Sequence, residues 1–356
     1  MSFRNILLAV AVFWLGAVTS LEAVGGATAP LLVMSPSARS YGMGETGVAD
    51  ESDPGNALYN PALLSGLEGG YLEGGYSNLI PMLADDVYIV TIGTYFGYQG
   101  SSTDKPIAIA GGVNYAELSY GWWEETTASG ETIRRYTSYE RYLRFLVAWG
   151  MSPSENFHIG TGAAIKRWKW SIGTPWAPDN PCEPGAWAGD VGLWAKVDRS
   201  VGTNSRLSLS GGLSCLNFGD DVEMCGAPKV PLPTCLRAGV GFRIETPPYR
   251  SVWSLVGFRP PLVSISSYLD LIDETYRNSD EELILKWGSE ISLVETFHMR
   301  VGYVNDKPGR IRDFTWGLGL SLHLGGLLAR FDFARRPLAE ALGHENRYSG
   351  IVGIRL

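Results

Sequence analysis

The chain has 356 residues, of which 45% are hydrophobic, 12% aromatic and 19% charged, and its formal net charge is −8. The apolar and aromatic content excludes a disordered chain, and the negative charge argues against coating DNA or another polyanion. There are 44 glycines, which is well above the usual share of roughly 7% of residues. Length alone allows one large domain or two ordinary ones.

Residues 1–23 have the form of a secretory signal peptide. Arg4 gives a positive start, residues 6–18 form an apolar stretch, and the small residues Ser20 and Ala23 suit cleavage. The apolar stretch is shorter than the roughly 20 residues that a helix needs to cross a bilayer. An uncleaved membrane anchor is the alternative. We therefore expect a chain that is exported from the cytoplasm and then cleaved.

A glycine motif lies in the next segment, residues 24–68, at Gly42, Gly44 and Gly47. It matches G-x-G-x-x-G, but no βαβ unit surrounds it, so a dinucleotide site is not favoured. Glycines at these positions permit tight turns in a crowded interior. Asn60-Pro61 then predicts the start or the end of a short helix.

From about residue 69 onward, apolar and polar residues alternate in strand-like segments. In segment 141–149, Phe145 and Val147 share an apolar face, whereas Arg144 lies on the other face. Period two places such sets on opposite sides of a sheet. About fourteen segments have this character, near 69–78, 86–97, 105–120, 134–150, 157–172, 186–198, 205–218, 235–246, 251–268, 281–293, 297–306, 312–323, 326–335 and 347–356.

The connections between these segments alternate in length. Short connections include Ser152–Asn156, Thr246–Ser251 and Leu324–Gly325, and longer ones include Glu124–Thr137, Gly173–Gly185, Gly219–Thr234 and Leu269–Asp280. Short turns at one end and long loops at the other are typical of a transmembrane antiparallel β-barrel. A β-sandwich fits less well because the strands are too many and too long, and no repeat of about 40–50 residues supports a propeller.

The polar face of the predicted strands carries charges. Asp190, Arg237, Glu290 and Arg300 all lie on it. A soluble barrel core would not bury so many charges cheaply, whereas the inside of a membrane barrel is polar. We therefore expect these four side chains to face the lumen.

Tryptophans lie beside the predicted loops. Trp122 and Trp123 adjoin one loop, and Trp168 and Trp170 adjoin the next. Such placement is typical of the aromatic girdle at a membrane interface.

All four cysteines lie in the exported part of the chain. They allow three pairings, and we favour a disulfide between Cys225 and Cys235, which bracket a proline-containing loop. Metal binding is the alternative, although the sequence has no C-x-x-C.

Pro260 and Pro261 lie within the predicted strand 251–268. Two consecutive residues without an N–H group cannot remain in a regular ladder. We expect a local defect in the barrel wall at this pair, with a harmless bulge near the rim as the alternative.

Several motifs together resemble one family. The stretch from Ser37 through Gly42-Met43-Gly44 to Tyr59-Asn60-Pro61-Ala62 resembles the N-terminus of FadL-like outer-membrane proteins, especially the PorV/PorQ family. Other blocks, in the same order as in that family, are Asp190–Trp194, Asn217-Phe218-Gly219, Leu232-Pro233, Leu236–Gly239, Met299–Tyr303 and Gly317-Leu318-Gly319. The last strand also resembles the signal read by the bacterial barrel-assembly machinery, where the final residue is usually Phe rather than Leu356.

The resemblance implies a fourteen-stranded outer-membrane barrel, residues 69–356, with residues 24–68 folded inside it as a hatch. It implies a component of type IX secretion or a related envelope protein. The alternative is a transporter of long-chain fatty acids or other hydrophobic small molecules by lateral diffusion. Expected partners are outer-membrane lipid, the barrel-assembly machinery, and hydrophobic molecules or secreted proteins. We expect no enzymatic activity, no cofactor, no metal and no nucleic acid.

Overall fold

The computed structural model describes residues 28–35, 37–100, 106–171, 182–202, 204–226, 228–249, 258–274, 283–306, 311–338 and 343–354. The predicted signal peptide lies outside these residues. Fourteen antiparallel strands form a closed barrel in which β1 pairs with the last strand, β16. This confirms the predicted all-β barrel fold.

The barrel strands follow one another along the chain, and two very short strands form a separate pair within one loop. They are β1 Gly69–Asn78, β2 Val87–Gln99, β3 Ile107–Thr126, β4 Thr132–Ser154, β5 Phe157–Ser171, β6 Gly185–Val201, β7 Ser205–Gly219, the short pair β8 Val222–Glu223 and β9 Lys229–Val230, then β10 Cys235–Glu245, β11 Val263–Glu274, β12 Ile284–Leu293, β13 Phe297–Asp306, β14 Ile311–Leu324, β15 Leu327–Pro337 and β16 His344–Ile354.

Alternation along the strands separates an apolar outside from a polar inside. In β4, Phe145 and Val147 are 50% and 66% exposed, whereas Arg144, which precedes Phe145, is completely buried. The same pattern recurs in β14, where Phe314 and Leu318 point outward and Thr315 inward. An apolar outer surface of this extent is suited to lipid rather than to water.

The described residues before β1, from residue 28 onward, include four short helical turns. These are Pro30–Val33, the helix α1 at Ala38–Gly42, Pro54–Leu58 and Pro61–Gly66. The Asn60 side chain caps the last of them by accepting a hydrogen bond from the Ala62 N–H at 3.1 Å, as Asn-Pro predicted. No helix in the described part of the chain is long and apolar enough to span a membrane.

The two ends of the barrel differ. At the turn end, where β1 begins and β16 finishes, the connections 155–156, 202–204, 294–296 and 325–326 are tight. At the loop end the connections include 79–86, 127–131 and 220–234. Strands β3 and β4 extend beyond their neighbours at the loop end and pair only with each other there.

The bounds of one predicted strand are wrong. Residues 250–257 of the predicted turn and strand lie outside the described residues. Strand β11 begins at Val263, so Pro260 and Pro261 precede it instead of interrupting the wall. There the Tyr249 N–H donates to the Pro260 carbonyl at 2.7 Å, and Pro248 bridges Pro261. Because neither proline can donate to the ladder, the strand forms only beyond them.

The predicted disulfide is also wrong. Cys225 pairs with Cys182, 43 residues away in sequence, with a Cα–Cα distance of 5.8 Å. Cys235 is a free, buried thiol at the start of β10. The bond joins two loops that are neighbours on the barrel rim, a proximity that sequence distance does not reveal.

Candidate functional site

Residues 28–67, here called the inner segment, are almost entirely buried and contact inward-facing residues of strands on both sides of the barrel. Its first contact surface is a patch of wall glycines on β12, β13 and β14. A Cβ at Gly288 would collide with the Met43 carbonyl, and one at Gly302 would collide with the Gly44 amide. Gly44 itself has a φ of 68° and no room for a side chain. The wall and the segment therefore touch through backbone.

A second glycine patch lies on the opposite wall, on β5, β6 and β7. A Cβ at Gly162 would strike the Pro61 carbonyl carbon, and one at Gly192 would strike the Asn60 side chain. Asn60 Nδ2 also donates to the Leu193 carbonyl of β6 at 2.9 Å. Both predicted motifs, Gly42/Gly44 and Asn60-Pro61, thus lie at backbone contacts with the wall.

A buried charge network holds the inner segment to the C-terminal strands. Arg39 of α1 forms ion pairs with Asp50 and, at 3.0 Å, with Glu290 of β12. The network continues through Arg300 on β13, Asp332 and Arg330 on β15, and Asp53, with Arg300–Asp332, Arg330–Asp332 and Arg330–Asp53 distances of 2.7 Å. Pairing of this kind offsets the cost of burying charges.

Two carboxyl groups of the inner segment have perturbed pKa values. Burial alone would raise the pKa of Asp50, but the attraction of Arg39 outweighs it and holds this pKa below its ordinary value. Burial opposes ionisation of Glu45 too, yet Lys286 and Arg336 hold its pKa well below the ordinary value. Both groups are therefore carboxylates at neutral pH.

Two further residues face inward and are buried, Asp270, which is not among the predicted lumen residues, and the predicted Arg237. Asp270 accepts hydrogen bonds from the N–H groups of Gly47 and Val48 at 2.8 and 3.1 Å. The Arg237 guanidinium lies 4.6 Å from the centre of the Tyr59 ring. Arg237 therefore contacts the inner segment at the face of the Tyr59 ring, and aromatic faces attract cations.

Asp190 on β6 is the centre of a second charged cluster. Its carboxylate pairs with Arg144 and Lys166, each at 2.8 Å, and accepts from the Asn217 N–H at 2.9 Å. Arg144 also donates to the Ala57 carbonyl at 2.9 Å. This cluster joins β4, β5, β6 and β7 to the inner segment.

Asn217 occupies an irregular point of the wall. The register of β6 and β7 shifts between Gly189 and Val191, and Asn217 has a φ of 60°, which Asn tolerates better than most residues. Its side-chain amide donates to the carbonyls of Leu32 and Pro233 at 3.3 and 3.1 Å. One residue therefore connects a wall bulge, the inner segment and a loop.

The outer side of this bulge is covered by Phe218. Gly189 has no side chain, and a Cβ placed there would lie 2.5 Å from the Phe218 ring. Phe218 itself is 42% exposed on the outside of the barrel. An aromatic ring thus fills the gap that the glycine leaves in the wall.

Apolar side chains collect inside the barrel near the loop end. This loop-end cluster combines Leu31 and Leu32 of the inner segment with wall and loop residues, namely Ile89, Ala116, Leu118, Tyr142, Trp168, Ala186, Ala188, Val222 and Leu232, with Ala29. Trp168 is completely buried in it, so its expected place in an aromatic girdle is wrong. Trp122 and Trp123, by contrast, are 65% and 54% exposed.

The loop 220–234 lies over this cluster. Val222 and Leu232 pack into it, and the Thr28 N–H donates to the Pro231 carbonyl at 3.3 Å. The Cys182–Cys225 disulfide ties this loop to the connection before β6. We call residues 220–234 the lid.

The turn end has a different character. A cavity of about 450 Å³ lies there, and its lining includes charged residues from the inner segment and from several strands. Among these are Glu51, Lys196, Arg206, Arg243 and Glu245, and the cavity also touches Phe258, Pro260 and Pro261. Phe258 stacks on His323 at the end of β14, with ring centres 4.0 Å apart. The predicted proline pair therefore borders a polar cavity.

No known family model and no curated protein matches the sequence. Among solved structures, the toluene transporter TbuX of Ralstonia pickettii superposes with a TM-score of 0.50 at 13% identity, covering 89% of this chain and 97% of that one. The fold is similar to that of a toluene transporter. The Pseudomonas putida toluene transporter TodX (TM-score 0.47, 9% identity, 95% and 99% covered) and a Pseudomonas aeruginosa FadL homologue (0.45, 10%, 91% and 99%) follow.

Proposed function

We propose that this chain is an outer-membrane channel for hydrophobic small molecules, and not an enzyme. The observation that carries the proposal is the loop-end cluster, in which the chain's own Leu31 and Leu32 fill an apolar space bounded by Trp168 and Tyr142. A space that accepts leucine side chains has the chemistry of a hydrophobic site. The similarity in fold to a transporter of toluene agrees with this choice.

The lengths of the connections indicate how the barrel is oriented in the membrane. Outer-membrane barrels place short turns in the periplasm and longer loops outside the cell. We therefore assign the loop end to the outside and the turn end to the periplasm, after export by the predicted signal peptide. Residues 24–68 would act as the hatch, with Leu31 and Leu32 moving aside when cargo enters beneath the lid.

A straight path through the lumen does not suit such cargo. The charge network around Arg39 and Glu290 and the polar cavity at the turn end lie between the loop-end cluster and the periplasm. An apolar molecule there would separate paired charges without replacing their interactions. We therefore propose lateral exit at the β6–β7 bulge, beside Phe218, rather than at Pro260 and Pro261.

The bulge offers a direct test. Deleting Asn217 removes the extra residue of β7 and restores a regular ladder. We expect uptake of radiolabelled toluene into proteoliposomes to fall at least about tenfold, while heat-modifiable gel mobility still shows a folded barrel. The control is the double substitution Pro260→Ala with Pro261→Ala, which lies outside the wall and should leave uptake unchanged. The lateral route is wrong if the proline variant loses uptake and the deletion does not.

The second candidate is the PorV-like role in type IX secretion that the sequence motifs imply. The feature that favours it is the outer rim, where a disulfide joins the lid to the preceding loop and gives a defined surface for a secreted protein. A search of the source genome for the other secretion components tests this role. Their absence would leave hydrophobic transport as the proposal.

A further inference from the structure

The side chain of Glu140 on β4 places a carboxyl group against the loop-end cluster, where it contacts Leu31 and Trp168. Its residue is completely buried, with Leu118 of β3 and Trp170 of β5 as its cross-strand neighbours. A carboxyl group in such a place is costly unless its oxygens accept hydrogen bonds. The identity of its donors therefore determines what the cluster can hold.

Among the described residues, the donors to Glu140 are neutral. Trp168 Nε1 donates to Oε2 at 3.1 Å, Tyr120 donates its hydroxyl hydrogen to Oε1, and the Leu31 N–H donates to Oε2 at 3.3 Å. In the part of the chain that the structure describes, no Lys, Arg or His forms an ion pair with Glu140, in contrast to Asp190 and Glu290. Each oxygen of Glu140 thus accepts from a wall side chain, and Oε2 accepts in addition from the inner segment.

One of these three donors belongs to the residues that must move. When Leu31 and Leu32 leave, the Leu31 N–H leaves with them, and Oε2 loses a hydrogen bond in an apolar setting. A pure hydrocarbon fills the volume but does not replace that hydrogen bond, so Oε2 keeps only the one from Trp168. A molecule of the same shape with a hydroxyl or amino group replaces both the leucine side chain and its amide donor.

We infer that Glu140 is a specificity-determining residue, which selects hydrophobic molecules that carry a hydrogen-bond donor, such as phenols and aromatic amines, over plain hydrocarbons. This inference rests on the proposed function, because it concerns the same apolar space. The inference goes beyond the proposed function because it names the chemical class of the molecules that bind. The donor hydrogen of the ligand would meet Oε2, and the ring would lie against Trp168 and Tyr142.

Toluene, phenol and aniline test the inference, since they share one shape and differ only in a methyl, hydroxyl or amino group. Isothermal titration calorimetry on the purified, folded barrel gives their affinities directly. We expect phenol and aniline to bind the wild-type chain at least about tenfold more tightly than toluene. Glu140→Leu should bring the ratio of phenol affinity to toluene affinity close to one. Glu140→Gln, which keeps a carbonyl acceptor, should retain part of the preference for phenol.

The matched control is Glu117→Gln on the neighbouring strand β3, where the carboxylate accepts from Tyr115 outside the cluster. The ratio of phenol affinity to toluene affinity in this control should equal that of the wild type. Equal affinity for toluene and phenol in the wild type, an unchanged ratio in Glu140→Leu, or no binding of any probe would each overturn the inference. Proteoliposome uptake separates the two proposals, because selective binding without uptake contradicts transport but supports the role of Glu140.

Discussion

At the scale of single residues, glycine is the feature that most directly shapes the lumen. Gly302 faces inward where the Gly44 backbone rests on the wall, and Gly288 meets Met43 beside it. A side chain there cannot be accommodated by moving a flexible neighbour alone, because the nearest opposing atom at each position is backbone. The high glycine content of the chain is therefore partly a requirement of packing one segment inside a barrel.

Gly302→Ala should accordingly destabilise the folded barrel. Overpacking of this kind costs about 1–3 kcal/mol, and we expect a lower urea midpoint in phospholipid vesicles and a smaller heat-modifiable fraction. Gly211→Ala is the matched control, since its Cβ would make only an ordinary contact of 3.8 Å with the Gly239 carbonyl. Equal urea midpoints for the two variants would contradict a close contact between the Gly44 backbone and Gly302.

The residues of the lumen could be predicted from sequence, but their partners could not. Alternation identifies Asp190, Arg237, Glu290 and Arg300 as one polar face, and all four are buried inside. Arg39 reaches Glu290 across 251 residues of sequence, a pairing that no local pattern indicates. Glu140 lies on the same predicted face, yet only the closed barrel places it beside Leu31 and Trp168.

At the scale of elements, periodicity locates most strands well and misplaces the bounds of one. The segment predicted at 251–268 overlaps β11, which begins after Pro260 and Pro261 and extends to Glu274. In segment 157–172 both faces contain apolar residues, so the inward direction of Trp168 could not be predicted. The Cys182–Cys225 pair depends on which loops are neighbours on the rim, which is a property of barrel closure.

The lid is the element whose stability depends on that disulfide. Reduction, or Cys182→Ser, should free the lid and speed tryptic cleavage at Lys229, which is exposed within it. Mass spectrometry of timed digests measures the rate, and we expect an increase of several-fold because local opening limits proteolysis. Cleavage at Arg134 and Arg135, in the hairpin that carries no disulfide, is the internal control. A uniform change at both sites would indicate general unfolding instead.

At the scale of the whole molecule, the charge network makes stability depend on pH. The lowered pKa values of Asp50 and Glu45 mean that these carboxylates stabilise the fold above their ordinary pKa of about 4. That contribution is lost as pH falls through the lower pKa values of the folded state. We therefore expect the urea midpoint in vesicles to change little between pH 7 and 5 and to fall on going to pH 3.

Asp50→Asn separates this network from other acid effects. It removes one carboxylate from a buried pair, which costs about 3–5 kcal/mol, so its midpoint at pH 7 should be lower and its further loss at pH 3 smaller than in the wild type. Glu124→Gln removes the partner of Arg135 in a largely exposed pair, and such pairs contribute at most about 1 kcal/mol. If both variants follow the wild-type pH profile, the inner segment is held by its glycine contacts rather than by its charges.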